Sequence, residues 1–217
     1  MHYKIGNHII KSENAAKPPS QASSYLLDWI RNLSNVDSIL DFGCGKLRYA
    51  GALATKCRRL ILVDSDIQLN RNQLLGGTLT TVIHYAKRCW PHSRVLTLEE
   101  LDRDPLKYDF ILCANVLPVI PKKQVRSSVM RRLHTALRNS GFCLFVTQYR
   151  NSYFKQIVSS PNVESHLDGW ILTTSKGSFY YGLLPPEKLE RIVVTHGFAI
   201  DQSWEHEGSA YVIARAR

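Results

Sequence analysis

Two acidic residues close two short apolar runs in this chain, each placed where a strand end can present it to a ligand. The first run is Ser38-Ile-Leu-Asp-Phe-Gly-Cys-Gly45, in which Asp41 precedes Gly43 and Gly45; the second is Leu60-Ile-Leu-Val-Asp64. Roughly twenty positions separate the glycine turn from the second acidic residue, the interval of a Rossmann-type nucleotide site. Gly43 and Gly45 carry no Cβ, so the backbone can turn sharply there and a ligand can approach it closely. Asp64 can accept hydrogen bonds from both hydroxyls of a ribose. The pair points to an adenosine-containing cofactor.

A dinucleotide site adds a third glycine, in the pattern GxGxxG, for close helix packing below a pyrophosphate. Here that position is Arg48, within Gly43-Cys-Gly-Lys-Leu-Arg48. Asp41, two residues before the first glycine, suits a ligand that carries positive charge. S-adenosylmethionine meets both conditions, with a cationic sulfonium, an ammonium group and no pyrophosphate.

The elements that must position these residues follow from hydrophobic periodicity. Ser20 or Ser23 can cap a helix that runs to about Leu33, with Leu26, Ile30 and Leu33 on one face. Strands are expected over Asp37 to Phe42, Leu60 to Val63, Arg94 to Leu98, Tyr108 to Ala114 and Phe142 to Thr147. Helices are expected over 46–57, over Asp66 to Leu75 until Gly76-Gly77 breaks the second, and over Thr80 to Trp90 until Pro91 stops the third. Lys122 to Asn139 repeats Val125, Val129, Leu133 and Leu137 at four-residue steps, and Ser140-Gly141 ends it. Its opposite face carries Lys123, Arg131, His134 and Arg138, either a solvated surface or a nucleic-acid contact. A helix over Glu187 to His196 and a hairpin of Phe198 to Trp204 with Ala210 to Ala214 complete the pattern.

Strands alternating with helices over 37–148 imply a single α/β domain spanning residues 1–217. It is a Rossmann-like, mostly parallel seven-stranded sheet with an antiparallel C-terminal strand. Residues 1–20 read as an N-terminal arm. Residues 149–184 fit neither period and carry Tyr149, Tyr153, Phe154, Trp170, Phe179, Tyr180 and Tyr181. They read as a cap inserted after the fifth strand, with Ile171 to Tyr181 folding into a hairpin around Lys176-Gly177.

At this point the chain resembles the class I S-adenosylmethionine-dependent methyltransferases. Asp41-Phe-Gly-Cys-Gly45 is similar to the family's first motif, and Val63-Asp64 to its second. Tyr108-Asp-Phe-Ile-Leu-Cys-Ala-Asn-Val-Leu117 resembles the fourth-strand segment. Leu137-Arg-Asn-Ser-Gly-Phe-Cys-Leu-Phe-Val146 resembles the fifth, with Ser140 in place of the more usual proline or glycine. The resemblance implies that Gly43 and Gly45 line the cofactor, that Asp41 sits near its amino-acid end and that Asp64 holds the ribose. It also sets Ser65 beside the adenine, Thr97 to Glu100 near the adenine edge, and Asn115 where methyl and acceptor meet.

Methyl transfer from a sulfonium is an in-line displacement, so the protein chiefly aligns the groups and, where needed, removes a proton. Asn115, Tyr149 and His166 are the candidate catalytic residues, with His206 and Glu205 as further possible bases. No (Asp/Asn/Ser)-Pro-Pro-(Tyr/Phe) follows the fourth strand, and no Pro-Cys pair supplies a nucleophile. Cys113 and Cys143 lie within strands and read as core. No His/Glu spacing suits a metal.

Bulk properties bound the partner. The 217 residues carry 44% hydrophobic and 21% charged side chains, ordinary for a globular protein. No apolar run approaches the roughly 18 residues of a membrane span, and Met1-His-Tyr-Lys-Ile lacks the order of a secretory signal. Five cysteines without a CxxC pair fit reduced thiols in the cytoplasm. The net charge of +10 and pI near 9.5 favour an anionic partner, of which nucleic acid is the commonest, over a surface that only serves solubility. Three functions therefore stand open: a methyltransferase acting on RNA or DNA, one acting on a small molecule, and a non-catalytic binding module that keeps the fold.

Overall fold

The computed structural model describes residues 2–150, 163–174 and 177–217. Its strands and helices, in chain order, begin with β1 (His2–Ile5) and β2 (His8–Lys11), then α1 (Ser24–Arg31), β3 (Val36–Phe42), α2 (Ala50–Ala54), β4 (Cys57–Val63) and α3 (Asp66–Asn70). The chain continues through β5 (Gln73–Leu75), β6 (Thr78–Thr80), α4 (Val82–Cys89), β7 (Arg94–Leu96), α5 (Leu98–Arg103), β8 (Tyr108–Ala114), α6 (Lys123–Ala136) and β9 (Leu137–Gln148). It closes with β10 (Val163–His166), β11 (Gly169–Thr174), β12 (Gly177–Gly182), α7 (Pro186–Thr195), β13 (Phe198–His206) and β14 (Ser209–Ala216). The main sheet has the seven-strand order β13-β14-β9-β8-β3-β4-β7, the expected Rossmann-like arrangement. No helix of the described residues is long and apolar enough to cross a membrane.

The described residues fall into two compact units, one of residues 16–112 and one that combines 2–15 with 113–217. In the first, β3 pairs in parallel with both β4 and β8, and β4 pairs with β7. Leu60 to Val63 and Phe110 to Leu112 are buried without alternation, the signature of parallel strands covered on both faces. Ser23 caps α1 by accepting the Leu26 N–H at 3.3 Å, and the helix buries Leu26 and Ile30.

Two helices are shorter than periodicity suggests. Residues 46–49 stay outside α2 because Leu47 holds a left-handed backbone, φ +62°, which a helix cannot contain. Helix α3 stops at Asn70, and Gln73 to Thr80 forms a hairpin instead. Gly76 and Gly77, with φ of +54° and +80°, make the two-residue turn that such a hairpin requires. Strands of three residues are too short to show alternation.

In the second unit, β14 pairs antiparallel with β9 and β13, as the terminal hairpin requires. Helix α6 ends at Ala136, and Leu137 turns extended to open β9, so Leu137 belongs to the strand and not to the helical stripe. A second sheet runs in the order β1-β2-β12-β11-β10. The expected hairpin around residue 177 is present as β11 and β12, with Ile171 opposite Tyr180. Residues 2–11, read as an arm, are a β-hairpin whose Ile10 meets Ser178 in parallel register. Tyr3 and Ile10 are buried there, and two strands of four residues are too short for their pattern to separate from a loop. Tyr153, Phe154 and Lys176 lie outside the described residues.

Candidate cofactor site

The glycine turn is built on paired strand ends. Asp41 and Phe42 lie opposite Leu62 and Val63 in the β3–β4 register. The N–H groups of Gly43 and Cys44 both donate to the Val63 carbonyl, at 2.8 and 3.0 Å, and fold the turn over the end of β4. That brings Gly45 to Asp64, whose Oδ2 accepts the Gly45 N–H at 2.9 Å. Asp64 Oδ1 accepts the Ser65 N–H at 2.7 Å and the Ser65 hydroxyl at 3.3 Å. Gly45 has φ +55°, and a Cβ on it would lie 3.3 Å from that of Ala16. Asp41, Gly43, Gly45, Asp64 and Ser65 are thus brought together in one unit.

Its electrostatics fit a cationic guest. Asp41 is buried, and its Oδ2 has no hydrogen-bond partner among the described residues. Burial, reinforced by the neighbouring Asp64 charge and opposed by Arg48, pushes the Asp41 carboxyl up to about 7. Burial also raises Asp64, against the backbone hydrogen bonds from Gly45 and Ser65. An unmet buried carboxylate oxygen carries a desolvation cost that a positive ligand group relieves. Cys44 is driven well above the usual thiol range, by burial first and then by these carboxylates, so it is an inert thiol.

Other residues near this site were not legible as such. Leu47 accepts its left-handed backbone while its side chain is 2% exposed. The backbone cost is about 1–2 kcal/mol, and burying a leucine returns about 2–3 kcal/mol, so packing wins. Gln68 is buried, and its Nε2 donates to the Gly45 carbonyl at 2.6 Å. Thr97 and Glu100 form a reciprocal capping box at the start of α5, at 2.7 and 3.2 Å.

The candidate catalytic residues all lie in the second unit. Asn115 has φ +60°, a conformation asparagine tolerates. Its Oδ1 accepts the Gln148 N–H at 2.7 Å and its N–H donates to Val146 at 2.8 Å, so it brackets the end of β9. Tyr149 is buried, and its phenol is pushed up to about 12 by burial and by a hydrogen bond to Glu205. It is a protonated donor at neutral pH, and Glu205, a further candidate, is its acceptor. His166 does not join them; its Nε2 donates to the Pro121 carbonyl at 2.8 Å, and its ring meets Tyr180 edge-on at 5.8 Å.

Around His166 stands an ion pair that the sequence did not announce. Buried Arg126 grips Asp168 with both terminal nitrogens, one at 2.9 Å, and donates to the Ile120 carbonyl at 2.9 Å and the Tyr180 hydroxyl at 3.2 Å. Burial alone would raise Asp168, but the hydrogen bonds and charge of Arg126, with the Tyr180 hydroxyl, hold it below the usual carboxylate range. The network ties α6 to the β10–β11 turn.

The chain is similar to known proteins in sequence family and in fold. A family model described as a methyltransferase domain matches residues 13–203. The uncharacterized protein YmfD of Escherichia coli (strain K12) is 38% identical over 212 residues, 98% of this chain and 95% of that protein. The solved DhpI-SAM-HEP complex superposes with a TM-score of 0.64 at 15% identity, covering 94% of this chain and 90% of that one. The N-methyltransferase NodS from Bradyrhizobium japonicum WM9, in complex with S-adenosyl-L-homocysteine, gives 0.57 at 15% identity over 88% and 86%. PH0226 from Pyrococcus horikoshii OT3 gives 0.64 at 11% identity over 91% and 93%. These likenesses show the fold.

Proposed function

The chain belongs to the methyltransferase domain family, and from that premise we propose that it transfers the methyl group of S-adenosylmethionine to a nucleic acid. The observation that carries the cofactor assignment is the unpartnered buried oxygen of Asp41 beside the glycine turn that Asp64 holds. S-adenosylmethionine supplies an activated methyl on a sulfonium with a built-in leaving group. Asp41 offers negative charge to its cationic amino-acid end, Asp64 presents carboxylate oxygens to the ribose, and Gly43 and Gly45 leave room for its approach. Tyr149, held protonated by burial and Glu205, acts as a hydrogen-bond donor and not as the base.

A nucleic acid acceptor is supported by the +10 net charge and by α6, whose fourteen residues include no carboxylate and expose Lys123 and Arg131. A small-molecule acceptor is the second reading, favoured by the likeness to DhpI, solved as a SAM-HEP complex. Tritiated methyl transfer into fractionated RNA, DNA, protein and metabolite pools tests both. Label in RNA or DNA, with binding that weakens steeply with salt, is expected. Label confined to metabolites would reassign the acceptor, and wild-type protein that binds no S-adenosylmethionine would remove the cofactor.

A further inference from the structure

We propose that Gln68 is a positioning residue for the glycine turn, and that Gln73 of the β5–β6 hairpin fixes it in that task. The proposal rests on the cofactor reading above for its purpose but on local geometry for its content. The Gly45 residue is gripped at both of its backbone polar groups. Asp64 Oδ2 accepts its N–H at 2.9 Å, and Gln68 Nε2 donates to its carbonyl at 2.6 Å. The two anchors sit on either side of the β4–α3 junction, so one short stretch of chain sets the pose of a left-handed residue.

Gln68 does not choose its rotamer alone. Its Nε2 also donates to Gln73 Oε1 at 3.2 Å, while Gln73 Nε2 donates back to the Gln68 carbonyl at 3.0 Å. Both partners of the Gln68 nitrogen are oxygens that only accept, so the amide cannot be reversed. The two glutamines are 1% and 7% exposed. Their closed ring couples the hairpin to the turn, and Tyr85 seats the hairpin, since a Cβ on Gly76 would lie 2.4 Å from the Tyr85 hydroxyl.

The cost of this arrangement points to its purpose. Gln68 Oε1 is buried with no hydrogen-bond partner among the described residues. A buried, unmet acceptor destabilises the fold. Methionine pairs would fill this space without the orphaned oxygen. The glutamines keep something that packing does not require, a donor aimed at the Gly45 carbonyl.

The test replaces both amides while preserving volume, in Gln68→Met/Gln73→Met, with Gln73→Met alone as the milder variant. Amide hydrogen exchange of residues 43–47 is followed without ligand, and binding of S-adenosyl-L-homocysteine is followed by calorimetry. The expected result is a lowered Tm, because the Gly45 and Gln68 carbonyls lose their donors, together with faster exchange across the turn and a Kd raised about tenfold in the double variant, with a smaller rise in Gln73→Met. A purely structural pair would lower Tm but leave both the exchange of the turn and the Kd in place, which would overturn the proposal. Should the double variant fail to fold, Gln73→Met decides by the same two readouts. If wild-type protein binds no S-adenosyl-L-homocysteine, the cofactor reading fails, while the ligand-free exchange still decides the clamp.

Discussion

Asp64 holds the Gly45 N–H at 2.9 Å with the oxygen that is not used by Ser65, whose N–H lies 2.7 Å from the other. One carboxylate therefore satisfies two backbone donors on opposite sides of the β4 end. This makes Asp64 a builder of the turn as well as a contact for the ribose. Asp64→Ala strands both N–H groups and removes the acceptor. Calorimetry with S-adenosylmethionine should show affinity lowered at least tenfold, with a stability loss of about 1–3 kcal/mol. Unchanged affinity would place the ribose elsewhere.

The buried Asp41 carboxyl gives a pH dependence with a definite sign. Its folded value is pushed up to about 7 from an ordinary 3.8, chiefly by burial. Between those values the folded state keeps a proton that the unfolded chain has released. Stability from this group is thus full below pH 4 and is lost as pH rises through about 7, at up to roughly 1.4 kcal/mol per unit. A cationic ligand favours the ionised form, so S-adenosylmethionine affinity should rise from pH 5.5 to 7.5, with proton release near pH 6. Calorimetry in buffers of different ionisation heat measures that release. Asp41→Asn should abolish both the release and the slope; a slope that survives in Asp41→Asn belongs to another group.

The Arg126–Asp168 pair should behave as a structural lock. Arg126→Met leaves Asp168 partly buried without its cation, at an expected cost of about 3–5 kcal/mol. Arg126→Met/Asp168→Asn should recover part of that loss, because no lone charge remains. Asp168 sits below its ordinary value, so its contribution is present at neutral pH and fades only as pH falls below about 4. Thermal unfolding of the single and double variants measures the coupling, and equal losses in both would show that the pair is not the source.

Long-period features were legible in the sequence and close-range polar contacts were not. Strands β3, β4, β8 and β9 announced themselves because buried strands leave unbroken apolar runs. Asp41, Gly43, Gly45 and Asp64 showed because strand ends followed by glycines have few other uses. The β1–β2 hairpin and the β5–β6 hairpin stayed hidden, since strands of three or four residues carry too little pattern to separate from a loop or a helix end. Arg126 shares α6 with Lys123, Arg131, Arg132 and His134, and nothing local marks it as the buried one. Gln68 and Gln73 meet because α3 ends at Asn70 and Arg71 turns extended, a helix end that the sequence pattern did not mark. Asn115 was legible as a strand-end residue, and the Gln148 N–H at its Oδ1 explains that position through backbone geometry.

Leu47 offers the sharpest check on the turn itself. Its φ of +62° is a conformation that favours glycine, yet its side chain is 2% exposed. Truncation to alanine removes the packing and keeps the backbone penalty, for an expected loss of about 2–5 kcal/mol. Truncation to glycine removes one methyl more but releases the left-handed strain. In an ordinary position glycine is worse than alanine by about 0.5–1 kcal/mol. Here the order should invert, with Leu47→Gly more stable than Leu47→Ala by about 1 kcal/mol. Urea unfolding of the two variants, compared at equal m, reads this difference directly. If alanine proves the more stable of the two, residue 47 is not left-handed in solution, and the path from Gly45 into α2 must differ.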